Sequence, residues 1–231
     1  LATAPGEGSA AIAQRCTQAR TRALDRQGRP NHTLQGQDID RHAAMDPAAL
    51  QFKPGDALHS SQPCRSVETL AVLGSNGRSY SVAVAQLPGG RGDGTPITTL
   101  IELEPGTQPV HYLAGGAERT LLLANSGGYG LLARTADLYA RNKGGKAFLT
   151  LEAGEQVLPP VAVQPGHRQV ACLAADGRLL VFSLDELKLQ PNGGRGLTLM
   201  EVDAKKDPLI SVATVHNGLK VIGSGRGGKA K

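Results

Sequence analysis

Three stretches of the chain share one alternation of apolar and turn residues. Leu70-Ala-Val-Leu-Gly-Ser-Asn-Gly77-Arg-Ser-Tyr-Ser-Val82, Leu121-Leu-Leu-Ala-Asn-Ser-Gly-Gly128-Tyr-Gly-Leu-Leu-Ala133 and Val170-Ala-Cys-Leu-Ala-Ala-Asp-Gly177-Arg-Leu-Leu-Val-Phe182 align without gaps. In each, an apolar run meets Asn-Gly, Gly-Gly or Asp-Gly and then a second apolar run. Those dipeptides supply the positive φ that tight hairpin turns demand, so each stretch predicts a β-hairpin. The turn glycines lie 51 and 49 residues apart, and a period of about 40 to 50 residues marks a propeller or a related array.

The similarity runs past the hairpins. A leucine recurs ten residues beyond each turn glycine, at Leu87, Leu138 and Leu187. A Gly-rich basic loop follows each leucine: Gly89-Gly90-Arg91-Gly92, Gly144-Gly145-Lys146 and Gly193-Gly194-Arg195-Gly196. The cation lies four residues past the leucine in the first case and eight in the other two. Next comes what reads as a short apolar strand and a Gly turn, in Leu100-Ile-Glu-Leu-Glu-Pro-Gly106 and Phe148-Leu-Thr-Leu-Glu-Ala-Gly154, with Leu50-Gln-Phe-Lys-Pro-Gly55 as an earlier copy. The unit is a small four-stranded blade, which cannot bury both faces alone and needs neighbours stacked on it.

The pattern fades at both ends. Gly28 stands 49 residues before Gly77, but Pro30 follows it, and proline is poorly tolerated inside a paired strand. Asn217-Gly218 predicts a last hairpin between Ile210-Ser-Val-Ala-Thr-Val215 and Leu219-Lys-Val-Ile222. The expected fold is an all-β broken propeller of four-stranded blades, roughly three complete with partial ones at each end. Its blades are centred on Gly28, Gly77, Gly128, Gly177 and Gly218, within residues 24–223. Residues 1–23 are expected to be a poorly ordered basic tail and residues 224–231 a basic Gly-rich one.

Composition narrows the class. Glycine makes up 30 of the 231 residues, nearly twice its usual share of about 7%, while tryptophan is absent and Tyr plus Phe total seven. The core must therefore be Leu, Val, Ala and Ile. Cys16, Cys64 and Cys172 form no metal spacing and leave one unpaired in any disulfide scheme, which points to a reducing, cytoplasmic setting. No apolar run approaches the roughly 18 residues of a membrane span, and the first residues have no signal-peptide centre, so a soluble chain is expected. It begins with Leu and stops in a basic tail, as a piece of a longer reading frame would. The net charge is +5, concentrated at the ends: Arg15, Arg20, Arg22, Arg26 and Arg29 against Glu7 and Asp25, then Lys220, Arg226, Lys229 and Lys231 with no acid among them.

Three stretches resemble a known family. They are Gly36-Gln-Asp-Ile-Asp40 leading to Phe52-Lys-Pro-Gly-Asp56; Gly77-Arg-Ser-Tyr80 leading to Leu87-Pro-Gly-Gly-Arg-Gly-Asp-Gly94; and Gly127-Gly-Tyr-Gly130 leading to Ala140-Arg-Asn-Lys-Gly-Gly-Lys-Ala147. The chain resembles the gyrase A C-terminal-like β-pinwheel family, and within it the C-terminal domain of the A subunit of bacterial DNA topoisomerase IV. The likeness covers residues 35–199. It implies a β-pinwheel whose rim binds and bends DNA without sequence preference, supporting decatenation, relaxation and chromosome segregation near the nucleoid. The gyrase member carries a Gln-Arg-Arg-Gly-Gly-Lys-Gly box; the in-phase segment here, Arg141-Asn-Lys-Gly-Gly-Lys-Ala147, keeps only its Gly-Gly-Lys, which favours topoisomerase IV. Gly225-Arg-Gly-Gly-Lys229 is a second partial copy, 11 residues after its turn glycine rather than 18 and so out of phase.

There are departures. Arg29-Pro-Asn-His-Thr33 stands where the family has an apolar strand, and Gln37 replaces the histidine of a Gly-His-Asp motif. The family's nucleophilic tyrosine follows an arginine, whereas Tyr80, Tyr112, Tyr129 and Tyr139 follow Ser, His, Gly and Leu. The chain alone is thus expected to be no enzyme and to hold no cofactor. The resemblance implies three partners: double-stranded DNA, the A-subunit cleavage core, and the B subunit, which carries ATP and Mg²⁺.

Glycine beside a cation lets main-chain N–H groups approach the same phosphate oxygens as the side chain. Arg91, Lys146 and Arg195 sit in that setting, supported by Arg78 and Arg178 directly after hairpin glycines and by Arg141 and Lys143 in the second loop. One such loop alone reads more simply as a solvated turn; recurrence in register favours phosphate contact. Bending 20 to 30 base pairs costs on the order of 1 to 6 kcal/mol, so several blades must act together. Other signals are weaker. Gly90-Arg-Gly-Asp-Gly94 precedes Thr95-Pro96 rather than a helix, and Gly145-Lys146 and Gly228-Lys229 are followed by alanine, so neither a dinucleotide loop nor a P-loop is present. The six histidines are dispersed, and a polar loop explains Asp38, Asp40 and His42 better than a metal does. Two rival readings remain: a propeller-like module docking an acidic protein, and a decayed gene fragment with an incomplete ring.

Overall fold

The computed structural model describes residues 9–17, 37–43, 56–89 and 94–220. They fold into two compact units, Leu1–Arg119 with Arg134–Thr150, and Thr120–Ala133 with Leu151–Lys231.

The first unit holds two sheets. One has the order β3-β1-β2-β6, from β1 (Ser9–Thr17), β2 (Gln37–Ala43), β3 (Asp56–Arg65) and β6 (Thr95–Pro96). The other runs β10-β5-β4-β7, from β4 (Thr69–Gly74), β5 (Arg78–Ala83), β7 (Pro109–Leu113) and β10 (Lys146–Ala147). The second unit repeats the plan. Its sheets are β11-β8-β9-β14, from β8 (Thr120–Ala124), β9 (Tyr129–Arg134), β11 (Val161–Ala162) and β14 (Leu197–Thr198), and β13-β12-β15, from β12 (Gln169–Ala174), β13 (Leu179–Ser183) and β15 (Leu209–Val215). Every strand pair is antiparallel.

The three predicted hairpins are present as β4-β5, β8-β9 and β12-β13, and Gly77, Gly128 and Gly177 turn them with φ of 76°, 87° and 92°. The fourth strand of a sheet is borrowed. β6 follows β5 in the chain yet pairs with β2, β10 follows β9 yet pairs with β5, and β14 follows β13 yet pairs with β9. A hairpin leaves one row of N–H and C=O groups open along its second strand, and a segment from beyond the next hairpin closes that row.

Each unit has one core. In the first, Ile39, Leu70, Val72, Tyr80, Val82, Leu87, Ile97 and Ile101 form a buried cluster drawn from both sheets. In the second, Leu122, Ala124, Leu132, Val170, Cys172, Leu187, Leu199 and Leu209 do so. The strand period of two turns Leu70 and Val72, or Val170 and Cys172, to one face. The recurring Leu87, Leu138 and Leu187 are all buried, in or directly after short 3-10 turns at Val84–Gln86, Thr135–Leu138 and Leu184–Glu186.

Several expectations need correction. Ser9–Thr17 lies within the supposed tail but is a strand, paired on one side with β2 and on the other with β3. Two flanking ladders specify it, and neither is visible in its own weak apolar pattern. The apolar runs at residues 100–106 and 148–154 are not regular strands. Pairing occurs earlier, at Thr95–Pro96 and Lys146–Ala147, after which Ile97, Ile101, Phe148 and Leu149 plug the core from irregular backbone. The Phe148 and Leu149 N–H groups end on the Gly77 carbonyl at 3.3 and 2.8 Å, as those of Leu199 and Met200 end on Gly128 at 2.8 and 3.2 Å. The segment expected to start a blade around Gly218 is β15, which instead pairs with β12 and completes the preceding hairpin's sheet. The Gly28 turn and the Leu50 to Gly55 copy lie outside the described residues.

Gly196 shows how tightly a borrowed strand seats. Its φ is +82°, and a Cβ there would fall 2.1 Å from the Gly130 carbonyl oxygen, whereas Gly177, at φ +92°, has nothing within 4 Å of that position. Gly177→Ala should cost about 1–2 kcal/mol of backbone strain alone. Gly196→Ala should lose more, because β14 must also lift off β9; urea midpoints of the two variants check the order.

Candidate nucleic-acid interface

The second basic loop, residues 139–145, is held by the strand below it. The Leu138 carbonyl accepts from Ser79 Oγ at 2.7 Å, and the Ala140 N–H donates to Ser81 Oγ at 2.8 Å, so alternate β5 residues stitch the loop down. The Gly145 N–H closes a turn on the Asn142 carbonyl at 3.0 Å, and the Lys143 carbonyl accepts from the Glu102 N–H at 3.0 Å. Gly145 has φ +67°, and a Cβ would sit 2.6 Å from both the Ser79 oxygen and the Tyr80 ring.

Arg78 acts from beneath. Its Nη2 donates to the Gly144 and Gly145 carbonyls, each at 3.1 Å, and its Nη1 lies 3.4 Å from Glu104. This arginine positions the loop. Lys146 is half-engaged: its Nζ donates to the Asp137 carbonyl at 2.6 Å and lies 5.3 Å from the Phe148 ring centroid, leaving two ammonium protons. Arg141 and Lys143 are exposed at the tip, with no ion pair among the described residues. Residues 139–147 carry three cations and no acid.

The third loop is different. The Arg195 guanidinium meets Glu155 at 2.9 and 3.4 Å and Glu152 at 3.2 Å, with its face 4.0 Å from the Tyr129 ring centroid. Glu155 is buried and also accepts from Asn125 Nδ2 at 3.2 Å and the Glu152 N–H at 2.8 Å. Burial works against the charged guanidinium, but the Glu155 bonds and charge outweigh it and raise the Arg195 pKa. Two carboxylates face one cation, so the group is net negative. Arg178 is similar. It pairs with Asp176 at 2.6 Å and with Asp207, and donates to the Glu201 carbonyl at 3.3 Å. The Asp207 bond is the first cause of its raised pKa, and the Arg178 N–H is the first cause of a lowered one at Asp176.

Arg178 and Arg195, expected as phosphate contacts, are ion-paired with carboxylates, and Arg78, expected likewise, donates to two loop carbonyls. Arg91 lies outside the described residues. Nothing in the local sequence pattern marks Glu152, Glu155 or Asp207 as their partners; only an acid in each preceding or following turn hints at it. Among the described residues no group of three or more His, Cys, Asp or Glu side chains could hold a metal. No described helix is long and apolar enough to cross a membrane. Burial pushes the Cys172 thiol up to about 12, so it stays protonated and inert near neutrality.

Comparison with known proteins sets this geometry among its relatives. The family model described as magnesium chelatase, subunit ChlI C-terminal, matches residues 6–67, which stop short of every basic loop. The E. coli ParC C-terminal domain structure superposes with a TM-score of 0.77 and 25% identity, over 91% of this chain and 80% of that one. A DNA gyrase A C-terminal domain gives 0.55 at 14% identity, over 90% and 65% of the two chains, a likeness of fold alone. The A subunit of DNA topoisomerase 4 from Neisseria gonorrhoeae is 39% identical over 195 residues, which is 80% of this chain and 25% of that protein. With its borrowed-strand sheets, the chain is an all-β protein of the pinwheel class seen in gyrase and topoisomerase C-terminal domains. More particularly, it closely matches the C-terminal domain of the bacterial DNA topoisomerase IV A subunit. It spans about a quarter of the length of the curated relatives it matches.

The ion pairs set two expected outcomes. Arg195→Ala should lower the thermal midpoint, since it strips a buried carboxylate of its cation, while Arg141→Ala should leave that midpoint unchanged. Asp176 is held below the usual carboxylate range, so its stabilisation is in place at neutral pH and drains as pH falls through that range. Arg178→Ala should shrink this acid-side loss, read as the difference between urea midpoints at about pH 7 and about pH 3.

Proposed function

We propose that this chain binds and bends double-stranded DNA through its Gly-rich basic loops, as the C-terminal module of a topoisomerase IV A subunit. The observation that carries the reading is the loop at residues 139–147. It offers three cations and no acid on a backbone fixed by Ser79, Ser81, Arg78 and Glu102. A pre-set loop loses little conformational freedom when a phosphate arrives, so its charges are available for counterion release. Arg141 and Lys143 are the primary phosphate contacts, with Lys146 adding its remaining protons and Arg91 contributing from the first Gly-rich loop. Arg78, Arg178 and Arg195 serve by anchoring. In the complete enzyme, strand cleavage belongs to the A-subunit core, and ATP and Mg²⁺ to the B subunit; this chain supplies duplex capture.

Among the described residues no helix or aromatic ladder is placed to read bases, so binding is indifferent to sequence and steep in salt. Arg141→Gln with Lys143→Gln should lower affinity for a random duplex and flatten the log–log salt slope by about 1.8, at about 0.9 per neutralised phosphate. The thermal midpoint should not move. An unchanged slope in that folded double variant overturns the reading.

A further inference from the structure

At each of the three hairpins a guanidinium sits beside the turn and meets a carboxylate from the segment that precedes β7, β11 or β15. In the β4-β5 hairpin it belongs to Arg78, directly after the turn glycine, and Glu104 lies 3.4 Å from its Nη1. In the β12-β13 hairpin it belongs to Arg178, again directly after the glycine, and Asp207 is the partner. The β8-β9 hairpin has Tyr129 at that position, and its guanidinium comes from the loop: Arg195 meets Glu155 at 2.9 Å and Glu152 at 3.2 Å. Glu104 and Glu152 correspond, each standing two residues before a turn glycine of positive φ, Gly106 and Gly154.

The strand register makes the places equivalent. β10 sets Ala147 opposite Arg78, and β14 sets Thr198 opposite Tyr129. Counted back from those residues, Arg195 stands where the second loop has Gly144. The Gly144 carbonyl accepts from Arg78 Nη2 at 3.1 Å, so one arginine reaches up from the strand to the position from which the other reaches down. The residue before the turn glycine differs as well. The Arg78 and Arg178 N–H groups donate to Asn76 and Asp176 at 3.1 and 2.8 Å, whereas the middle hairpin has Gly127. A Cβ on Gly127 would lie 1.8 Å from Glu155 Oε1, so the carboxylate takes the space of the missing side chain. Tyr129 then gives the incoming guanidinium a face to lie on, its ring centroid 4.0 Å away.

The geometry points to Tyr129 as the residue that withholds Arg195 from DNA, an inference that rests on the phosphate-binding role proposed above for the basic loops. A hairpin with arginine after its glycine satisfies its own carboxylate and leaves the loop cations outside, as at Arg141 and Lys143. A hairpin with tyrosine there draws the loop's arginine inward. Restoring arginine at position 129 reverses the assignment for two reasons. β9 is paired on both sides, by β8 and β14, so an arginine on it stands on fixed backbone, while Arg195 hangs between Gly194 and Gly196 and costs more to order. Losing the Tyr129 ring also removes the stacking face. The number of loop cations open to a duplex is thus set by the first residue of each hairpin's second strand.

The test is Tyr129→Arg in the whole chain, with phenylglyoxal labelling of arginines read peptide by peptide by mass spectrometry. Labelling needs no DNA, so the place of Arg195 is judged apart from the function proposed above. In the unaltered chain Arg195, with 26% of its side chain exposed, should label more slowly than Arg141; in the variant the two should label alike. Continued protection of Arg195 in the folded variant overturns the proposal. If that variant does not fold, the second hairpin gives the same answer. Gly144 has nothing within 4 Å of a Cβ, so Gly144→Arg is accommodated there. The added arginine should label rapidly beside Arg78 and slowly once Arg78→Tyr is included; rapid labelling in both overturns the proposal. On a random duplex, Tyr129→Arg should steepen the log–log salt slope by about 0.9, and adding Arg195→Gln should abolish that gain. A gain that survives belongs to the new arginine and overturns the proposal. A released Arg195 with an unchanged slope overturns the role of Tyr129 in DNA binding, whereas the function itself is judged at Arg141 and Lys143, so the two failures are distinct.

Discussion

The structure depends on closing the open row of backbone groups along the second strand of each hairpin. Two residues suffice to close it, and a left-handed glycine immediately before them lets the loop come within contact of the host. Lys146 and Ala147 on β5, and Leu197 and Thr198 on β9, are the same device used twice. The N–H groups of the next two residues then end on the carbonyl of the turn glycine, and a large apolar side chain drops into the core. Sheet closure, loop placement and core filling are thus one event at each junction.

This coupling explains why the basic loops are where they are. A segment that crosses to another sheet must carry its connecting loop over the surface, and its residues are free to be charged. At residues 139–145 the loop is fastened by β5 serines and by Arg78 from beneath, so its outward cations stand on a fixed backbone. At Arg195 the same kind of loop is fastened differently. Its own cation is drawn inward onto Glu155 and Tyr129, and the charge that looked available goes into holding position. Loops alike in sequence therefore differ in what they can offer a polyanion.

Much was legible in the residue pattern. The hairpins around Gly77, Gly128 and Gly177, the all-β class and the buried leucines ten residues on all follow from local rules, because turn dipeptides and alternation act within a few residues. The borrowed strands were not legible. A two-residue strand has no periodicity, and its partner lies far off in the chain, so the apolar runs behind it, such as Phe148 and Leu149, look more like strands than Lys146 and Ala147 do. Ser9–Thr17 escaped for the same reason: its partners, not its side-chain pattern, make it a strand.

The cations divide along the same line. Sequence alone determined which residues carry positive charge, which flank glycine and at what period they recur, since these are properties of the covalent chain. Only the tertiary structure decided which charges remain for a partner. That depends on acids and carbonyls brought close by folding: Glu155 to Arg195 across 40 residues, Asp207 to Arg178 across 29, Gly144 to Arg78 across 66. An ion pair forms wherever two groups meet in space, and separation along the chain gives no measure of that distance.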